Sequence, residues 1–162
     1  MLVIVVWLGL SSITMGQTLT PELLPGDILI TRNAEDKPNN TAGWWNHAAI
    51  FVGDNTVIEA QAGPSKVIST NPVDFWVRYP IIKVLRPNDY EVAKQAAQCA
   101  KTLQNAKYRR YASAPRNLRP SSRGENCVSV VRRSYLYASG FDYRWRKPDD
   151  ITNFTTIFIK KP

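Results

Sequence analysis

The sequence is short of the residues that build metal sites and disulfide frameworks. Among its 162 residues there is one histidine, His47, and there are two cysteines, Cys99 and Cys127. Two cysteines allow at most one disulfide bond, and their distance in sequence from the histidine does not match a usual zinc site. A glycine-rich phosphate-binding loop is also missing. We therefore predict no metal and no cofactor.

Acidic residues are scarce relative to basic ones. Thirteen Asp and Glu face 21 Lys and Arg, which gives a formal net charge of +8. The basic density peaks between Lys107 and Arg133, where Glu125 is the only acidic residue. Such a patch attracts nucleic acid, acidic lipid head groups or an anionic polymer, and a solvated surface without a dedicated partner is an equally good interpretation. Because no nucleic-acid-binding motif accompanies the charge, we predict no specific nucleic-acid partner.

The N-terminus is apolar and lacks a preceding lysine or arginine. Residues 1–16 are apolar from Leu2 to Leu10 and then small and polar. This pattern is typical of a secretory signal peptide, and it is too short for a normal membrane-spanning helix. We expect residues 1–16 to be a signal peptide or N-terminal hydrophobic segment, and residues 17–162 to be the folded domain. The protein is then exported to the periplasm or the extracellular space, with membrane anchoring as the alternative.

The remaining pattern predicts an α+β fold. Strand-like runs dominate the first half, and a short helical turn is predicted in NPVDFWVRY. Helical periodicity follows at Tyr90–Ala106 and from Asn126 or Cys127 to Ser139, and ITNFTTIFI predicts a last strand. Strands gathered first and helices later favour a mainly antiparallel sheet packed against helices.

The stretch WWNHAAIFVGDNTVIEA, residues 44–60, predicts a β-hairpin that carries His47 and Glu59 on otherwise apolar strands. A three-residue loop at Gly53-Asp54-Asn55 would pair Ala49 with Glu59. His47 and Glu59 would then be diagonal neighbours on one face, with Cβ atoms about 7–8 Å apart. A two-residue loop would put them on opposite faces. On this stretch alone, a passive histidine and a solvent-facing glutamate are the simpler interpretation.

The segment GENCVSVVRRSYLYASG predicts that Cys127 lies in the first turn of a helix. Asn126 is a typical N-cap, and a thiol at a helix N-terminus feels the partial positive charge of unsatisfied N–H groups. Arginines close in sequence would add to this effect, and both favour the thiolate; they are Arg123, Arg132 and Arg133. The same N–H groups can hold a developing oxyanion, and a neutral histidine can take the thiol proton.

Cys99 serves as an internal control for this interpretation. It lies among alanines within the predicted helix Tyr90–Ala106. A buried cysteine in such a place usually behaves as a small hydrophobic residue. We expect a structural role for Cys99, and a Cys99–Cys127 disulfide stays open for an exported protein.

Three segments together resemble a known family. PGDILITR, WWNHAAIFVGDNTVIEA and ENCVSVV are similar to the circularly permuted NlpC-type, papain-like cysteine peptidases, especially the YiiX-like branch, and distantly to lecithin–retinol acyltransferase-like enzymes. The resemblance covers roughly Leu23 to Gly140. It implies a circularly permuted papain-like fold in which Cys127 is the nucleophile, His47 the base and Glu59 the third, polar residue. Gln61 and Asp74 are the alternatives for the third position.

The resemblance implies a cysteine hydrolase that cleaves an amide, peptide or ester bond in the cell envelope through an acyl-enzyme intermediate. The expected partner is a peptide, amide or acyl substrate, in some cases anionic, with peripheral contact to the membrane or cell wall. A lipid acyltransferase or thioesterase at an anionic membrane surface is the second interpretation. The third is an inactive basic module that binds an anionic polymer through the arginines of the basic segment; they are Arg109, Arg110, Arg116 and Arg119.

Overall fold

The structure, a computed structural model, describes residues 21–32, 43–112, 124–151 and 154–161. Within these ranges six strands form one sheet in the order β4-β3-β2-β1-β5-β6, and every neighbouring pair is antiparallel. The strands are β1 (Ile28–Arg32), β2 (His47–Phe51), β3 (Val57–Gln61), β4 (Lys66–Thr70), β5 (Ile81–Arg86) and β6 (Thr155–Lys160). The helices are α1 (Pro72–Arg78), α2 (Tyr90–Thr102) and α3 (Cys127–Ser139), with a 3-10 turn at Pro148–Asp150. The predicted α+β class with a mainly antiparallel sheet is confirmed, and the predicted signal segment lies outside the described residues.

The sheet is covered on both faces, so its central strands are apolar on both sides. Ile28 and Ile30 point into one core with residues of α2 and α3, whereas Leu29 points into a second core with Phe75 of α1. Neither β1 nor β2 therefore alternates between apolar and polar residues. Glu59, fully buried in the next strand β3, stands out against this background.

Two helices differ in length from the sequence prediction. α2 ends at Thr102, short of the predicted Ala106, because Asn105 has a left-handed φ of 68° and donates its N–H to the carbonyl of Val67. α1 is longer than the predicted single turn. Asn71 caps it by accepting from the N–H of Val73, and Pro72 opens it. The extra length of α1 brings Arg78 within hydrogen-bonding distance of the buried Glu59.

The Gly26–Asp27 turn ties β1 to the helices. Gly26 has a φ of 97°, and a Cβ there would lie 2.4 Å from the carbonyl oxygen of Ala93 in α2. Its own carbonyl accepts from the hydroxyl of Tyr135 in α3 at 2.6 Å. Both oxygens of Asp27 accept from Arg86 of β5.

None of the helices in the described part of the chain is long and apolar enough to cross a membrane.

Candidate active site

The β2–β3 hairpin has the three-residue loop on which the site depends. The N–H of Val52 donates to the carbonyl of Thr56 at 2.9 Å, and Gly53, Asp54 and Asn55 all have positive φ angles. Ala49 pairs with Glu59, which confirms the predicted register. His47 and Glu59 therefore share a face, and 2.9 Å separates Nε2 of His47 from Oε2 of Glu59.

Glu59 is a fully buried carboxylate that accepts hydrogen bonds on both oxygens. Oε1 accepts from Oγ1 of Thr70 at 2.6 Å and from an Arg78 nitrogen at 2.7 Å. Oε2 accepts from His47 and, at 3.4 Å, from the hydroxyl of Tyr79. Burial alone would raise the pKa of Glu59, but His47 and Thr70 outweigh it and lower the pKa to about 2. Glu59 is thus an anion at neutral pH, so it is the Nε2–H of His47 that donates.

The two alternatives for the third residue lie in different environments. Gln61 helps to lower the pKa of Glu59, so it supports the ionised carboxylate. Asp74 is exposed in the first turn of α1. Among these three residues, the structure brings Glu59 into contact with the histidine.

Cys127 occupies the first residue of α3, as the N-cap pattern predicts. The side chain of Asn126 accepts from the N–H of Ser129 at 2.8 Å, and the hydroxyl of Ser129 accepts from the N–H of Asn126 at 2.8 Å. Ser129 also donates to the buried carboxylate of Glu125. This reciprocal capping box holds the first turn, and with it the thiol, in place.

His47 and Cys127 change each other's ionisation. Burial raises the pKa of the Cys127 thiol, but the hydrogen bond and charge of His47, and the N–H groups of Ala48 and Val128, lower it overall. Burial lowers the pKa of His47, but Cys127 and Glu59 outweigh this and raise it to about 9. Since Nε2 is bonded to Glu59, Nδ1 is the ring nitrogen left for the thiol. The lowered pKa of the thiol and the raised pKa of the imidazole both favour a thiolate–imidazolium pair.

The expectation that nearby arginines stabilise the thiolate is corrected for Arg132 and Arg133. Arg132 donates to Asp142 at 2.7 and 2.6 Å, and Arg133 forms a buried ion pair with Glu125 at 2.9 Å. Both guanidinium groups are thus paired with carboxylates, and neither arginine is among the causes that lower the pKa of Cys127. Arg123 lies outside the described residues, as do Arg116 and Arg119, while Arg109 and Arg110 are exposed.

Sequence reasoning missed the residues that surround the histidine. The ring of Tyr79 stacks on His47 with centroids 5.3 Å apart and an interplanar angle of 18°. Arg78 and Thr70 bind Glu59. Also missed was Tyr108, whose pKa is raised first by burial and then by the charge of Cys127. Thr70 could have been found by extending the strand pairing one hairpin further, since β4 pairs with β3. The other three give no signal in the sequence.

Cys99 differs from Cys127 in the direction of its pKa shift. It is a buried free thiol within α2, and burial raises its pKa although Ser134 and Arg133 act in the opposite direction. Cys127 is also a free thiol, so the two cysteines do not form a disulfide.

Comparison with known proteins finds a likeness in structure. No family model matches the chain, and no curated protein matches its sequence. A crystal structure of a protein described as the metalloprotein YiiX from Escherichia coli O157:H7, DUF1105, superimposes with a TM-score of 0.66 at 18% sequence identity. The match covers 85% of this chain and 98% of that one. At this identity the likeness concerns the fold, and it fits the resemblance to the YiiX-like branch.

Proposed function

We propose that this chain is a cysteine hydrolase of the permuted papain-like, NlpC-type class, YiiX-like branch, which cleaves an amide, peptide or ester bond through an acyl-enzyme intermediate. The observation that carries the proposal is the contact between Nε2 of His47 and the buried carboxylate of Glu59, together with the place of Cys127 at a helix N-terminus, where the same imidazole lowers the pKa of its thiol. A nucleophile, a base and a group that orients the base are the three parts that acyl transfer needs.

In the first half of the reaction, the sulfur of Cys127 attacks the substrate carbonyl carbon and forms a tetrahedral adduct. Backbone N–H groups in the first turn of α3 stabilise the negative charge that develops on the substrate oxygen. The proton held by His47 goes to the leaving amine or alcohol as the carbon–heteroatom bond breaks. An acyl group then remains on the sulfur.

In the second half, the now neutral His47 removes a proton from water, which attacks the thioester carbon. Collapse of this adduct releases the acid and returns the thiolate. Glu59 stays ionised throughout, and it fixes the ring orientation and stabilises the imidazolium each time it forms. Amide and peptide bonds of the cell envelope are the substrate class that the family resemblance suggests, with an exported protein as its setting.

The YiiX protein is described as a metalloprotein, but the residues of this site do not fit a metal ion. The described residues contain no group of three or more His, Cys, Asp and Glu side chains able to hold a metal ion. Both oxygens of Glu59 already accept from protein donors, including the cation Arg78, and a metal ion would have to displace them. We therefore derive no step through a metal.

Thiol alkylation read at each cysteine tests the proposal. The wild-type protein and His47→Ala are treated with iodoacetamide at about pH 6, where an ordinary thiol is almost fully protonated. We expect fast labelling of Cys127 that falls at least about tenfold in the variant, with Cys99 unlabelled as the control within the same molecule. Slow, equal labelling of both thiols in the wild type would contradict the proposal. Detection of an acylated Cys127 by mass spectrometry, after exposure to a p-nitrophenyl ester, would identify the intermediate.

A further inference from the structure

We propose that Arg78 is a positioning residue that holds Glu59 in the orientation in which the carboxylate aligns His47. The inference rests on the proposed function and deepens it, because it assigns a role to a residue outside the proposed Cys127–His47–Glu59 triad. Arg78 binds Glu59 from the last turn of α1, and its guanidinium carbon lies 5.7 Å from the centroid of the Tyr79 ring.

The two carboxylate oxygens of Glu59 accept hydrogen bonds from different donors. Oε2 receives the Nε2–H of His47, and Oε1 receives Thr70 and Arg78. The terminal torsion of a glutamate is broad, so a carboxylate held only by the histidine would be free to rotate. Two short hydrogen bonds to Oε1, of 2.6 and 2.7 Å, remove this freedom. Arg78 supplies the charge-assisted one, which is the stronger kind.

Helix α1 holds the histidine as well as the glutamate. Next to Arg78, the ring of Tyr79 stacks on His47, and Phe75 packs against Tyr79 with ring centroids 4.7 Å apart. Lys160 of β6 donates to the backbone oxygens of Trp76 and Tyr79, which fixes the end of the helix. Arg78 is therefore presented to Glu59 from a constrained backbone.

The charge of Arg78 matters because Glu59 is fully buried. A buried carboxylate is costly unless it is paired, and without a fixed cation it is more easily protonated. The Arg78 side chain is 39% exposed, so it carries this charge at the protein surface while Glu59 stays at 0%. A protonated or rotated Glu59 would no longer stabilise the imidazolium form of His47, and the thiolate would be lost with it.

The chain offers a matched control in Arg86. It pairs with the buried carboxylate of Asp27 at 2.7 Å, with side-chain exposures of 31% and 1%. This pair resembles Arg78–Glu59 in distance and burial but has no contact with His47 among the described residues. Arg86→Gln therefore reproduces the loss of a half-buried ion pair without affecting the proposed alignment.

The experiment measures the rate of Cys127 alkylation by iodoacetamide between pH 4 and pH 9, together with the melting temperature. In Arg78→Gln we expect the acid limb of the rate profile to move up by about one pH unit, and in Arg78→Lys by less. Arg86→Gln should leave the profile in place while lowering the melting temperature by a similar amount. Should Arg78→Gln fail to fold, Thr70→Val removes the other donor to Oε1 and should displace the limb in the same direction.

The possible outcomes distinguish a failure of the role proposed for Arg78 from a failure of the hydrolase proposal. A profile of Arg78→Gln that superimposes on that of the wild type, or an equal displacement in Arg86→Gln, would overturn the role of Arg78 while Cys127 remains activated. A wild-type Cys127 that reacts no faster than Cys99 would instead overturn the hydrolase proposal itself.

Discussion

Cys99 and Cys127 lie on two helices that pack against each other, yet the pKa of the Cys99 thiol is raised and that of the Cys127 thiol is lowered. Burial raises the pKa of both. At Cys99 the influence of Ser134 and the charge of Arg133 do not offset burial, and the pKa stays raised. At Cys127 the contact with His47 and two backbone N–H groups outweighs it.

The difference shows that the charge of a nearby arginine is not enough to lower the pKa of a buried thiol in this protein. Arg133 is the arginine whose charge acts on Cys99, and its guanidinium is already committed to Glu125. What distinguishes Cys127 is the influence of His47, through hydrogen bonding and charge, together with the backbone N–H groups of Ala48 and Val128. These contributions lower the pKa of Cys127, and none of them acts on Cys99.

The largest effect is expected when each cysteine is removed in turn. Cys127→Ala should abolish hydrolysis, with a loss of at least about a thousandfold in kcat/KM, because the covalent intermediate cannot form. Cys99→Ala should keep activity within about threefold and lower stability by about 1 kcal/mol, since it loses only a small buried side chain. Steady-state kinetics on a chromogenic ester or amide, with thermal melting of both variants, checks this. Equal losses of activity would erase the distinction between the two thiols.

The second effect concerns the acid stability contributed by Glu59. Its pKa is about 2 in the folded protein against 4.5 when unperturbed, so the unfolded chain binds the proton first as the pH falls. The stabilisation is present above about pH 4.5 and is lost as the pH falls towards 2, with an order of magnitude of about 3 kcal/mol.

Glu59→Gln should flatten this part of the stability profile, and it should slow alkylation of Cys127 at pH 6 by about tenfold. Cys99→Ala should leave the acid limb unchanged. Urea unfolding at a series of pH values from 2 to 7 provides the measurement. A wild-type slope retained in Glu59→Gln would mean that other carboxylates dominate the acid transition.

The parts of this site that could be predicted from sequence are those set by local rules. The loop Gly53-Asp54-Asn55 fixes the hairpin register, and the register brings Glu59 to His47. Asn126 marks the start of α3 and so places Cys127 in its first turn. In both cases a few adjacent residues determine the geometry.

The parts that could not be predicted depend on where the chain returns. Arg78 and Tyr79 reach the site because α1 folds back over the sheet, and no spacing in the sequence encodes that contact. The role assigned to the arginines of α3 failed for the converse reason. They are near Cys127 in sequence, but their guanidinium groups are paired with Asp142 and Glu125.

The smallest effect is expected when the N-cap residues of the two helices that carry the cysteines are replaced. Asn126 caps α3 and Asp89 caps α2, each by accepting one backbone N–H, at 2.8 and 3.0 Å. Replacing either with alanine should cost about 1 kcal/mol of stability. Only Asn126→Ala should also slow alkylation of Cys127, because it loosens the turn whose Val128 N–H lowers the pKa of that thiol. Denaturant unfolding and alkylation at pH 6 are measured on the same samples. Equal stability losses with an unchanged rate in Asn126→Ala would mean that the contact with His47 alone activates Cys127.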